Sequence, residues 1–130
     1  IAPHVVDAVT EARYASNTVE PIPAAYRRQW LRQDGADSHV VGEALRSLVT
    51  ARELNLFQPW PMRQSYDAIF CRNVMIYFDD MAKAELEARF VEMLAPGGTL
   101  YIGHSERLIG PAAAMMVPVG QTIYVKKGGA

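Results

Sequence analysis

Cysteine is almost missing from this chain. Cys71 is the single one in 130 residues, which excludes an intrachain disulfide and any metal site built from cysteine pairs. Net charge is also missing: 13 Lys and Arg against 14 Asp and Glu leave a formal charge of −1. The arginines, among them Arg27, Arg28, Arg32, Arg46 and Arg52, are scattered and form no stripe interleaved with aromatics. A global field drawing the chain to nucleic acid or to an anionic membrane is therefore absent. No apolar run approaches the roughly 18 residues of a membrane span, and no signal-peptide pattern opens the sequence. No pair of histidines with carboxylates has metal-ligand spacing, and no internal repeat or low-complexity segment occurs. What is present is ordinary for a globular chain. Half the residues are apolar and 21% are charged, enough for one domain with a real core, and the single cysteine fits a reducing compartment.

The patterning predicts an α/β organisation. Residues 3–14, PHVVDAVTEARY, predict a helix, because proline suits a first helical turn and valines recur at helical spacing. Residues 15–22 predict a loop, 23–31 a short helix starting on Pro23, and 33–38 a polar loop. A short strand or turn then leads into a helical turn at 43–48, and the alternation in LVTARELNLF predicts a strand over 49–54. YDAIFCRN, 66–73, is a nearly continuous apolar run of the kind buried on both faces of a parallel sheet. An amphipathic helix over 79–94 follows, capped by Asp79 or Asp80, with Leu86, Phe90, Met93 and Leu94 as its apolar stripe. The Pro and Gly of 95–98 stop that helix. A second buried strand is expected over 99–104, and a C-terminal antiparallel hairpin over 115–127 turning at Gly120–Gln121.

In open α/β sheets a ligand lies beyond the carboxyl ends of the strands. Three segments meet that condition: Asn55–Leu56, Cys71–Arg72–Asn73, and Gly103–His104–Ser105–Glu106. Asn55, Asn73 and Ser105 suit turn and helix caps as well as a ligand. Arg72 sits in an apolar run, and a buried guanidinium requires an anionic partner; Asp79, Asp80 and Glu106 are the candidates. Tyr77, five residues on, can turn its hydroxyl to the same rim. His104–Ser105–Glu106 has the residue types of a hydrolase, but adjacent residues do not form a nucleophile–base pair and no G-x-S-x-G elbow occurs. His4 and His39 are placed on the surface, away from the rim. The PGG at 96–98 precedes a strand, whereas a dinucleotide fingerprint follows one and opens a helix, so hydride transfer is excluded.

IFCRNVMIYFDD at 69–80 followed by LAPGGTLYIGHSERL at 94–108 closely resembles the catalytic domain of the CheR-type chemoreceptor glutamate methyltransferases. LNLF at 54–57 and QTIYVKK at 121–127 also match that family, and AYRRQWL does so more loosely. The resemblance implies methylation of glutamate side chains on the cytoplasmic helices of bacterial chemoreceptors, with S-adenosylmethionine as methyl donor. It implies that Asn55, Leu56, Cys71, Arg72 and Asn73 contact the cofactor, and that Tyr77, with Arg72, serves the transfer itself. The implied fold is a partial class I methyltransferase sheet, Rossmann-like, in which residues 1–130 form the C-terminal part of one catalytic domain.

That family's first two strands, its glycine-containing cofactor loop and the acidic residue after the second strand are expected to precede Ile1. A chain opening without methionine and without those parts is expected to be a fragment, to pair with the absent part, or to self-associate through an exposed strand edge. It is also expected to bind cofactor weakly alone. Two functional classes follow: part of a protein-glutamate methyltransferase, or a non-catalytic regulatory or interaction module that keeps a remnant of the fold.

Overall fold

The computed structural model describes residues 3–128, which divide into two compact units, Ile1–Asn55 and Leu56–Ala130.

The first unit is built on a three-stranded antiparallel sheet. Helix α1, Pro3–Glu11, leads into β1, Arg13–Ala15, the short helix α2, Ser16–Val19, and helix α3, Ala24–Trp30. Strands β2, Leu31–Gln33, and β3, Ser38–Val41, and the one-turn helix α4, Glu43–Arg46, complete it. The sheet order is β1-β3-β2, with Arg13 opposite Val40 and Arg32 opposite Val40 on the other side. The predicted helix over 3–14 stops early because buried Ala12 adopts φ 53°. That left-handed residue breaks the helical hydrogen-bond series, and 13–15 pair with β3 instead. Arg13 and Asp34 form an ion pair. His39 is half-buried, not on the open surface, and its Nδ1 lies 3.0 Å from Ser16 Oγ.

The strand expected over 49–54 does not form. Those residues carry no regular structure, and Leu48 and Val49 are 79% and 59% exposed. Alternation describes which side chains could share a face, but a strand also needs a neighbour to take its backbone N–H and C=O groups.

The second unit is an α/β layer. It contains β4, Tyr66–Cys71, a 3₁₀ turn at Met75–Tyr77, helix α5, Asp80–Met93, and β5, Leu94–Ile102. A second 3₁₀ turn, Pro111–Met115, precedes the hairpin of β6, Met116–Gly120, and β7, Ile123–Lys126. The four strands are ordered β4-β5-β7-β6. Strands β4 and β5 are parallel, with Cys71 opposite Ile102, and the other pairs are antiparallel. This is a mixed α/β sheet with the predicted hairpin in place.

One face of the sheet packs on α5. Leu86, Phe90 and Val91 of the helix meet Leu94, Leu100 and Ile102 of β5, with Cys71, Met75 and Met116 closing the core. Asp79 caps α5, its Oδ1 accepting the Ala82 N–H at 2.8 Å, one of the donors that a helix start leaves open. At the other end Lys126 Nζ donates to the carbonyls of Val91 and Leu94, both at 2.8 Å, placing a cation against the negative end of the helix dipole. The chain turns from helix to strand at Leu94, so 95–98 lie within β5 rather than forming a separate stop.

Strand β4 is not buried on both faces. Ile69 and Cys71 face the core, whereas Phe70 is 70% exposed on the opposite face, stacked on Tyr101 with ring centroids 4.3 Å apart. Among the described residues β4 pairs only with β5, so its other edge is open.

Candidate active site

Parallel pairing of β4 and β5 brings their carboxyl ends side by side, so the segments after Cys71 and after Ile102 leave the sheet together. The group that joins them is Glu106. Its carboxylate, in a residue 4% exposed, accepts the N–H groups of Gly103 at 2.6 Å, Asn73 at 3.0 Å and Ile76 at 3.2 Å. Asn73 adopts φ 60°, a left-handed conformation that asparagine tolerates better than most residues. It turns the chain from β4 toward the 3₁₀ turn and aims its N–H at Glu106. Gly103 leaves no room for a side chain: a Cβ there would lie 2.5 Å from Asn73 Oδ1 and 2.6 Å from Glu106 Oε1.

A second buried carboxylate holds the far end of the loop. Glu87, in the middle of α5 and fully buried, accepts the Gly110 N–H at 2.9 Å and the Ile109 N–H at 3.1 Å. Gly110 approaches α5 so closely that a Cβ would stand 2.8 Å from Ala84 Cβ. Residues 103–110 are thus tied at both ends, while His104 and Ser105 between them are exposed.

A third residue, Arg89, secures the segment after Asn55. Its Nη1 donates to the carbonyls of Leu56 at 2.9 Å and Gln58 at 2.5 Å. The guanidinium lies 5.5 Å from the Trp60 ring centroid and pairs with Glu85 at 3.3 Å. Trp60 Nε1 donates to the Leu56 carbonyl at 3.1 Å.

The residues singled out from the sequence fall as follows. Asn55 is exposed at the end of the first unit. Within the second unit, Leu56 is half-buried against the core. Cys71 is buried, and desolvation, reinforced by the Glu106 charge, pushes its thiol up to about 11. It is therefore a neutral packing group at physiological pH, and only its backbone reaches the rim. Arg72 and Asn73 are exposed at the rim, and Tyr77 is 80% exposed on the following turn. Arg72 is not the buried guanidinium expected from its apolar surroundings in sequence. It lies where the strand meets solvent and has no ion-pair partner among the described residues. Glu106, a candidate partner for it, is engaged with backbone donors. The roles of Glu87 and Arg89 escape a sequence reading. The one legible sign is that Glu87 precedes Phe90 and Val91 by three and four residues, placing an acid on the apolar face of α5.

Among the described residues no cluster of His, Cys, Asp or Glu could hold a metal ion, and no helix is long and apolar enough to cross a membrane. The chain is 37% identical over 127 residues to a probable chemotaxis protein methyltransferase of Rhizobium etli, a match covering 95% of this chain and 47% of that protein. It is 40% identical over 124 residues to chemotaxis protein methyltransferase 2 of Pseudomonas aeruginosa, covering 92% and 44%. With the Escherichia coli chemotaxis protein methyltransferase it shares 37% identity over 105 residues, covering 78% and 36%. The chain thus spans less than half the length of these relatives. Residues 1–125 match the model of the CheR methyltransferase, S-adenosylmethionine-binding domain, and the chain belongs to the CheR methyltransferase family.

Proposed function

We propose that the protein transfers a methyl group from S-adenosylmethionine to glutamate side chains on the cytoplasmic helices of bacterial chemoreceptors, acting in the cytoplasm. The observation that carries this reading is the rim held by Glu106 at the carboxyl ends of β4 and β5, in a chain of this family. The two compact units then belong to one catalytic domain, and β4-β5-β7-β6 forms part of a Rossmann-like class I sheet.

The donor set at the rim suits this cofactor, which is apolar at the adenine and doubly charged at the amino-acid end. Half-buried Leu56, immobilised by Arg89 and Trp60, offers apolar surface to the adenine. The Cys71 backbone and Asn73 offer hydrogen-bonding groups, and Arg72 offers a cation to the carboxylate. When bound, the cofactor supplies an electrophilic methyl group on a sulfonium.

The acceptor needs little activation. A glutamate carboxylate, with an ordinary pKa of roughly 4.3, is already ionised at neutral pH, so the transfer requires no strong base. The protein has instead to orient the carboxylate and exclude water. Tyr77 is placed to orient it. The exposed Tyr77 ring stands on the 3₁₀ turn whose Ile76 N–H is fixed by Glu106, and its hydroxyl can donate to one acceptor oxygen. Transfer of labelled methyl from S-adenosylmethionine to a chemoreceptor cytoplasmic fragment tests the reading. Tyr77→Phe in the full-length protein is expected to lower kcat by about tenfold to a hundredfold. Undiminished turnover at saturating substrate removes Tyr77 from the mechanism, and absence of transfer by the unsubstituted protein favours a non-catalytic module.

A further inference from the structure

A cavity of about 160 Å³ opens on the second unit beside the 3₁₀ turn that carries Tyr77. Met75, Ile76 and Ile109 form its apolar wall, and Lys83 and Arg107 supply two cations from different elements, the first turns of α5 and the loop after β5. Glu106 also borders it, but the three backbone N–H groups that it accepts already answer its charge. Lys83 has no ion-pair partner among the described residues. Asp79, four residues earlier, is occupied in capping α5. Arg107 uses one nitrogen, Nη1, on the Glu106 carbonyl at 2.8 Å and keeps its other donors. Two cations over an apolar floor, with the neighbouring carboxylate internally satisfied, form a receptor for an anion carried on an aliphatic stem.

We propose that this cavity receives an acidic side chain of the acceptor polypeptide close to the glutamate that is methylated, making Lys83 and Arg107 the residues that select acidic acceptor segments. The inference rests on the methyl-transfer reading above and adds to it a substrate preference. The occupant is a side-chain carboxylate because the cavity is small, lies on the wall of the turn bearing Tyr77, and has apolar surface for the methylenes.

The experiment compares two acceptors for the full-length protein: a chemoreceptor cytoplasmic fragment, and its twin in which the acidic residues next to the acceptor glutamates are amides. The acidic fragment is expected to have the higher kcat/KM, by about fivefold, as two partly exposed charge contacts allow. Lys83→Gln is expected to bring that ratio close to one, and Lys83→Glu with Arg107→Glu to invert it. Replacing Arg107 also removes its bond to the Glu106 carbonyl, so the single variant of half-buried Lys83, Lys83→Gln, decides the matter if the double variant fails to fold. An unchanged ratio in Lys83→Gln overturns the proposal, as does an effect confined to the KM for S-adenosylmethionine, which would mean that the cations serve the cofactor. Absence of transfer to both fragments by the unsubstituted protein overturns the underlying reading, and the selectivity with it; transfer to both at equal rates overturns the selectivity alone.

Discussion

Glu106 is 4% exposed and has no ion-pair partner among the described residues. Its charge is carried by the N–H groups of Gly103, Asn73 and Ile76, which replace the water it lost. Glu106→Ala strands all three donors, and at about 1 kcal/mol or more for each, a loss of roughly 3 kcal/mol is expected by urea denaturation. Glu106→Gln keeps the shape but turns one acceptor oxygen into a donor, so it sacrifices either the Gly103 and Asn73 bonds or the Ile76 bond and should fall between. A Glu106→Ala variant as stable as the parent would show that the brace is dispensable. The same carboxylate helps to keep Cys71 protonated. With the thiol raised from 9.0 to about 11 in the folded chain, the native state holds the proton more tightly than the unfolded state. This contribution to stability is complete below pH 9 and is lost as pH rises toward 11. Alkylation by iodoacetamide at pH 8 should accordingly be slow in the native protein and fast in denaturant; equal rates would contradict the burial.

Helix α5 carries more than its apolar stripe. Along its length Asp79 caps the start, Glu87 holds Ile109 and Gly110, and Arg89 holds the carbonyls of Leu56 and Gln58, so one rigid rod fixes two loops of the second unit. Arg89→Met preserves the aliphatic stem and removes the carbonyl bonds. It is expected to cost about 1–2 kcal/mol, to shift Trp60 emission to longer wavelength in a Trp30→Phe background, and to weaken S-adenosylmethionine binding through release of Leu56. Unaltered Trp60 emission would show that the segment is held by other contacts. The element pattern explains what is legible in the sequence. Strands β4 and β5 and the hairpin can be read because long apolar runs between turn residues leave few alternatives. Strands β1 and β2 cannot, because three residues are too few for period two to show against a preceding helix. The false strand at 49–54 comes from alternation with no neighbour to complete it. At the site, Cys71–Arg72–Asn73 and 103–106 stand out because residues after adjacent parallel strands must share a rim. The bonds of Glu106 and Glu87 go to main-chain N–H groups, which every non-proline residue carries, so no partner residue type signals them.

At the scale of the molecule, the sheet β4-β5-β7-β6 is finished on one face only. Its covered side holds Leu100 and Ile102, both fully buried, whereas the other side presents Phe70 at 70% and Val117 at 43% exposure, with Tyr101 stacked on Phe70. The two edges of the sheet differ as well. The outer strand β6 contains Pro118, which has no N–H to offer, a common protection of edge strands. Strand β4, YDAIFC, has neither proline nor lysine, so its free edge and its aromatic face invite the same addition: another strand alongside, or another apolar surface on top. The chain of residues 1–130 is therefore expected to self-associate with rising concentration in sedimentation velocity, and Phe70→Lys to shift the distribution toward monomer. That substitution removes about 1.5–3 kcal/mol of apolar burial from any contact over this face and sets a charge beside the open edge. It leaves the α5 side of the sheet untouched. Sedimentation of the unsubstituted chain as one concentration-independent monomer would mean that the face is covered by its own polypeptide in solution, and Phe70→Lys should then destabilise the fold instead of dispersing an oligomer.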